Sequence, residues 1–131
     1  MDFDLLIVDD SRTTRGVIRK TLGLIDLPIG RVLEAGSGAE GLALLRSDWV
    51  DLVLADLNMP GMSGVEMIEA MNRDSLLSKV PVVVVSSEGN AALLTQLAGQ
   101  GVRDFVRKPF QPAALKQVMQ RSLGLIAAEA G

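Results

Sequence analysis

Three aspartates, a serine and a lysine each stand just after a short apolar run in this chain of 131 residues. Asp9 and Asp10 follow Leu5-Leu6-Ile7-Val8, and Asp56 comes shortly after Leu52-Val53-Leu54. Ser86 follows Val82-Val83-Val84-Val85, and Lys108 comes shortly after Phe105-Val106. If those runs are neighbouring strands, one pocket holds three carboxylates, a hydroxyl and an ammonium. Two unit charges ~4 Å apart repel by on the order of 4 kcal/mol at an effective dielectric of 20, so such a cluster holds either protons or a cation. Mg²⁺ suits it, since this ion takes one or two carboxylates, waters and a phosphate oxygen. A lysine supplies a point charge for phosphate and a serine supplies a hydrogen bond. The set suits phosphoryl transfer onto a carboxylate, giving an aspartyl phosphate.

Composition narrows the chemistry from the other side. The chain has no Cys and no His, which excludes thiolate chemistry, disulfides, histidine-based triads and imidazole zinc sites. Thirteen basic residues face sixteen acidic ones, a net charge of −3, which is the wrong balance for a non-specific nucleic-acid surface. Aromatic residues make up 3%, too few for a platform that stacks bases or a flavin. The start, Met1-Asp2-Phe3-Asp4, is acidic where a secretory signal is basic, and no apolar run reaches the ~18 residues of a membrane span. The expectation is a soluble, cytoplasmic protein with no membrane insertion.

The elements that must position these groups can be read from the apolar pattern. Five runs are expected as strands: the four above, with Val102 preceding Phe105-Val106, and Val32-Leu33. Several are β-branched and continuous, as in strands buried on both faces of a parallel sheet. Helical spacing fills the intervals. Val17, Thr21, Leu22 and Ile25 fit the inner face of a first helix; Ala39, Leu42 and Leu45 fit a second. Val65, Ile68 and Met71 fit a third, Leu94, Leu97 and Ala98 a fourth, and Leu115, Val118, Met119 and Ser122 a fifth. Ser11, Ser37 and Ser63 are expected N-caps, Gly99 and Gly101 close the fourth helix, and Pro112 opens the fifth. Alternating strands and helices imply an α/β fold, a five-stranded parallel sheet, doubly wound, with helices on both faces. The chemistry of such sheets lies beyond the carboxyl ends of the strands. One domain over residues 1–131 is expected, with a core at about 4–123 and a short fraying tail at 124–131.

Each feature alone has a plainer reading. Asp9-Asp10-Ser11 suits a helix cap, Asp56 an ordinary loop, and Ser86 a cap for the fourth helix. Lys108 suits a solvated surface position. Met59, Met62, Met67 and Met71 suit packing. The weight lies in the combination, since all four strand ends carry mutually relevant groups.

That combination resembles a known family. Asp9-Asp10-Ser11, the stretch Asp56-Leu57-Asn58-Met59-Pro60-Gly61 with Ser63-Gly64, Ser86-Ser87-Glu88, and Lys108-Pro109-Phe110 are similar to the receiver domains of bacterial two-component response regulators. The likeness is greatest to stand-alone, chemotaxis-type receivers and spans residues 4–123. It implies the flavodoxin-like strand order 2-1-3-4-5. It also implies that Asp56 accepts a phosphoryl group from a partner histidine kinase, and that Mg²⁺ is the cofactor. Asp10, Asp56 and the Asn58 carbonyl would hold that ion, with Asp9 acting through water. Lys108 would contact the phosphoryl group, Ser86 would move its hydroxyl onto it, and Phe105 would turn inward. The Lys108-Pro109 bond would be cis. The output would leave through the fourth helix, fifth strand and fifth helix, at about 91–123, toward a downstream protein target. A monomer or weak dimer is expected, with no direct nucleic-acid partner.

Three positions depart from the family's commoner pattern: Ser86 stands in place of Thr, Ser87 in place of Ala or Gly, and Phe105 in place of Tyr. Asn58 and Glu88 are expected to flank the path of the hydrolytic water, giving an acyl phosphate that lasts minutes or less. Trp49, before the third strand, is expected at the sheet end opposite Asp56. The chief alternative is a small Mg²⁺-dependent aspartate-nucleophile phosphohydrolase. Its acid pair is usually DxD after the first strand, whereas Asp9 and Asp10 are adjacent. A flavodoxin-like binder would place phosphate beside two repelling acids. A phosphorylation-independent interaction domain would leave the acid, serine and lysine set without a role.

Overall fold

A computed structural model describes residues 2–87 and 91–126. Strands and helices alternate: β1 Phe3–Val8, α1 Arg12–Leu22, β2 Ile29–Ala35, α2 Gly38–Ser47, β3 Leu52–Ala55, α3 Gly64–Arg73, β4 Val82–Ser86, α4 Ala91–Ala98, β5 Val102–Arg107 and α5 Pro112–Ser122. A single 3₁₀ turn, Leu77–Lys79, precedes β4. The strands form one parallel sheet in the order β2-β1-β3-β4-β5. This is the expected doubly wound α/β arrangement.

The period-2 alternation of strand side chains divides the core in two. Leu6, Val8, Val53, Ala55 and Val84 face one side, where they meet Leu42 and Leu45 of α2, Met67, Ile68 and Met71 of α3, and Leu97 of α4. Leu5, Ile7, Leu52, Leu54, Val83 and Val85 face the other, against Ile18 and Leu22 of α1 and Leu115, Val118 and Met119 of α5. The inner strands β3 and β4 are buried throughout, which explains their continuous apolar runs. The outer strands β2 and β5 are covered less completely and read as interrupted runs. Met59, Met67 and Met71 are core residues.

Several expected helix faces need correction. On α1 the buried residues are Ile18, Thr21 and Leu22, while Val17 is 54% exposed. One residue is a 100° rotation on a helix, which is enough to carry Val17 off the packed face. Ile25 lies beyond the end of α1. Ala39 on α2 and Ala98 on α4 are exposed, because Gly41, Leu42 and Leu45, and Leu97, occupy the inward positions. The caps stand where expected. The Ser11, Ser37 and Ser63 hydroxyls accept from the backbone N–H groups of Thr14, Glu40 and Glu66. Ser63 and Glu66 complete a reciprocal capping box. Gly101 takes φ +94°, a left-handed conformation that only glycine adopts at little cost.

Candidate functional site

Strand register decides which side chains meet. Val8 of β1 pairs with Ala55 of β3, so the next residues, Asp9 and Asp56, leave adjacent strands side by side. The Asp56 N–H donates to the Val8 carbonyl at 2.9 Å, and the Asp9 N–H donates to the Ala35 carbonyl at 3.0 Å. Ser86 pairs with Arg107, and the Lys108 N–H donates to the Ser86 carbonyl at 3.0 Å. Four strand ends thereby converge.

One carboxylate oxygen from each of Asp9, Asp10 and Asp56 lies within 4.8 Å of the others. Asp9 is buried, Asp10 is exposed, and Asp56 lies between. Lys108 Nζ reaches across to Asp9 Oδ2 at 2.7 Å and Asp56 Oδ2 at 3.5 Å. The remaining Asp9 oxygen accepts from the Ser11 N–H at 2.9 Å, and Asp56 Oδ1 accepts from the Leu57 N–H at 2.8 Å. Each anchored oxygen turns its partner oxygen toward the shared pocket. One ammonium against three carboxylates leaves an excess of negative charge, and the donors are all hard oxygens. That set fits a hard divalent cation such as Mg²⁺ and not a soft metal.

Ser86 is buried at the end of β4, five residues before α4, so it is not the cap of that helix. Ser11 does cap α1, but no acidic residue lies in that helix's first turn, and both aspartates remain at the pocket. Asn58 is exposed on the loop after Asp56, its N–H 3.5 Å from Asp56 Oδ1. Lys108-Pro109 is cis. Phe105 is half-buried and packs against the α2–α3–α4 side of the core. Glu88 lies outside the described residues. Trp49 is 59% exposed, in the segment that enters β3, at the far end of the sheet from Asp56.

Three residues support the site without a role assigned to them from the sequence. A Cβ on Gly64 would overlap the Asp56 carbonyl oxygen, so the helix that follows the Asp56 loop starts where only glycine fits. Glu34, at the end of β2, accepts from Arg15 Nε and Arg19 Nε at 3.0 Å each. Arg15 also donates to the Asp9 carbonyl at 2.7 Å. The i, i+4 spacing of Arg15 and Arg19 was the available signal, since it puts both cations on one face of α1.

Residues 5–120 match the response regulator receiver domain. The chain belongs to this family. The chemotaxis protein CheY of Pseudomonas aeruginosa is 35% identical over 117 residues, covering 89% of this chain and 93% of that protein. A CheY homolog of Campylobacter jejuni is 36% identical over 121 residues, 92% of each chain. The structure of Vibrio cholerae chemotaxis protein CheY4 superposes with a TM-score of 0.84 at 28% identity, over 94% of this chain and all of that one. This receiver domain is thus CheY-like, a phosphorylation-activated switch of two-component signalling. Receiver domains bind Mg²⁺ at an acidic pocket, and this one presents three aspartates there. Receivers of the CheY type take phosphoryl groups from histidine kinases and act on downstream targets. Among the described residues no helix is long and apolar enough to cross a membrane.

Proposed function

We propose that Asp56 is the phosphoryl acceptor of this switch. The observation that carries the reading is the convergence of Asp9, Asp10 and Asp56 within 4.8 Å, with Lys108 bridging two of them. A carboxylate oxygen of Asp56 attacks phosphorus of the histidine kinase's phosphohistidine. The P–O bond forms as the P–N bond breaks, and the imidazole leaves with the electron pair. Asp10, Asp56 and the Asn58 carbonyl would hold Mg²⁺, with Asp9 acting through water; the ion supplies counter-charge to the carboxylates and the transferring oxygens. Lys108 donates to a phosphoryl oxygen, and Ser86 offers its hydroxyl to another. The site then differs in charge and hydrogen bonding from its resting form. Phe105, on β5 two strands' breadth from Asp56, carries the difference toward the α4–β5–α5 face, where a downstream protein docks.

The receiver works as a cytoplasmic switch, monomeric or weakly dimeric, and not as a turnover enzyme. A phosphohydrolase is disfavoured by the adjacent Asp9-Asp10 pair and by a lone acid after β3. The test is phosphorylation by acetyl phosphate with Mg²⁺, followed by intact-mass spectrometry. Wild type gains one phosphoryl group, and Asp56→Asn gains none because an amide is no nucleophile. Label retained on Asp56→Asn would overturn the assignment, and rapid turnover of p-nitrophenyl phosphate would favour the phosphohydrolase.

A further inference from the structure

The three aspartates sit on two short connections, and mutual repulsion works to spread them. Asp9 and Asp10 occupy the turn between β1 and α1, which ends at the cap residue Ser11. The Asp9 N–H is held by β2, and the Asp9 side chain is held by the Ser11 N–H and Lys108. Its carbonyl points to the other side, and there Arg15 Nη1 meets it at 2.7 Å. The same guanidinium gives Nε to Glu34 Oε1 at 3.0 Å. The second Glu34 oxygen accepts from Arg19 Nε at 3.0 Å, and Arg19 donates onward to the Val32 carbonyl at 2.7 Å. The Arg15 side chain is only 17% exposed, against 51% for Arg19. A Cβ on Gly36 would lie 3.5 Å from Arg15 Nη1, so the guanidinium is packed along the turn after β2 as well. Burial by itself would push the Glu34 carboxyl up; the hydrogen bonds and charges of Arg15 and Arg19 outweigh it and hold the carboxyl below its ordinary range. Glu34 therefore stays an anion that can pin Arg15.

We propose that Arg15, pinned by Glu34, is a positioning residue that fixes the Asp9-Asp10 turn in the geometry that binds the divalent cation. The inference rests on the reading of the aspartate cluster as a Mg²⁺ site. Two donors of one rigid fork are directed at two different acceptors, a backbone carbonyl inside the turn and a carboxylate on β2. A lysine carries the charge but has no such fork. Outer partners of this kind orient ligands, and losing one typically weakens metal binding about tenfold or more.

The sign of the effect separates positioning from charge. Arg15 is a cation beside a cation site, so removing its charge alone would strengthen Mg²⁺ binding. Removing a positioning contact weakens it. The experiment is isothermal titration of Mg²⁺ into wild type, Arg15→Ala, Arg15→Lys, Glu34→Gln and Arg19→Ala, each first shown to be folded by circular dichroism. Arg15→Ala and Arg15→Lys should both bind Mg²⁺ about tenfold more weakly, and Glu34→Gln should fall between them and wild type. Arg19→Ala breaks the exposed ion pair without touching the turn, and should stay within about twofold of wild type. Wild type that binds no Mg²⁺ would overturn the metal-site reading itself. Wild type that binds, with Arg15→Ala equal or tighter or Arg15→Lys fully restored, would overturn the positioning role alone. If Arg15→Ala fails to fold, Arg15→Lys and Glu34→Gln decide the matter by the same criteria.

Discussion

Both ends of the sheet gather acidic residues, and they resolve the charge in opposite ways. At the entry end, Asp4 and Asp48 pair with Arg31, and Asp51 holds the Asp4 backbone. Asp4 Oδ1 accepts from the Arg31 N–H at 2.9 Å, and Asp51 Oδ2 accepts from the Asp4 N–H at 2.7 Å. The Arg31 guanidinium reaches Asp4 at 3.4 Å and Asp48 at 3.2 Å, and it also donates to the Trp49 carbonyl. At the carboxyl end, Asp9, Asp10 and Asp56 turn oxygens toward one another around a single lysine, and they form the only such convergence among the described residues. The Asp9 side chain is 2% exposed there, whereas Arg31 is 53% exposed. Acids that share one forked guanidinium fasten the fold. Acids that face one another around one lysine keep an excess of negative charge, which suits a divalent cation.

Four substitutions or readouts sharpen this contrast, beginning with a pair of glycines. A Cβ on Gly64 collides with the Asp56 backbone carbonyl, which cannot yield without moving the loop after β3. A Cβ on Gly30 meets Asp4 Oδ1 at 2.6 Å, and a carboxylate tip can rotate aside. Gly64→Ala should therefore cost about 3 kcal/mol and most of the acetyl-phosphate labelling, and Gly30→Ala about 1 kcal/mol with labelling intact. Urea melts with parallel mass spectrometry check this; equal costs would erase the distinction.

Lys108→Ala comes next. It strips the buried Asp9 carboxylate of its partner, a loss worth about 3 kcal/mol for a fully buried pair and closer to 2 kcal/mol for a lysine that is 21% exposed. Saturating Mg²⁺ should restore most of that stability, while switching remains impaired. Equal loss of Mg²⁺ binding and switching would contradict the separate roles.

A smaller effect has opposite signs at the two ends. In EDTA, Asp10→Ala should stabilise the protein by up to about 1 kcal/mol by relieving repulsion, and Asp51→Ala should destabilise it by about 1.5 kcal/mol by orphaning the Asp4 N–H. Added Mg²⁺ should raise the midpoint of Asp51→Ala and leave that of Asp10→Ala nearly unmoved. Changes of the same sign would mean that the two clusters do not differ in kind. The smallest effect is optical. Trp49 belongs to the entry end, so Mg²⁺ titration should hardly change its fluorescence; strong quenching would contradict that placement.

The carboxyl-end half of this contrast was legible in the residues themselves; the entry-end cluster was not. The continuous runs at β3 and β4 marked the buried strands, and the polar residues just past them marked the site. Ser11, Ser37 and Ser63 fixed helix starts because a cap is a local interaction. What stayed hidden was non-local or rotational. Val17 and Ile18 differ by one position, and only packing into the core shared with β1 and α5 selects the second. Arg15 meets Glu34 across 19 residues; the i, i+4 spacing of Arg15 and Arg19 shows a cationic face of α1 but not the carboxylate it meets. Gly64 reads as a helix-opening residue until the fold brings the Asp56 carbonyl against it. The outer strand β2 was visible only at Val32-Leu33, since a strand covered less completely has no need of a continuous apolar run.

The carboxylate between β3 and α3 is the phosphoryl acceptor we propose. Reduction of the acyl phosphate with tritiated borohydride, followed by peptide sequencing, marks the acceptor directly. Mg²⁺-dependent label at Asp56, absent in EDTA, is the expected result. Label at Asp9, Asp10 or a hydroxyl side chain, or label at Asp56 that is indifferent to Mg²⁺, would contradict the account.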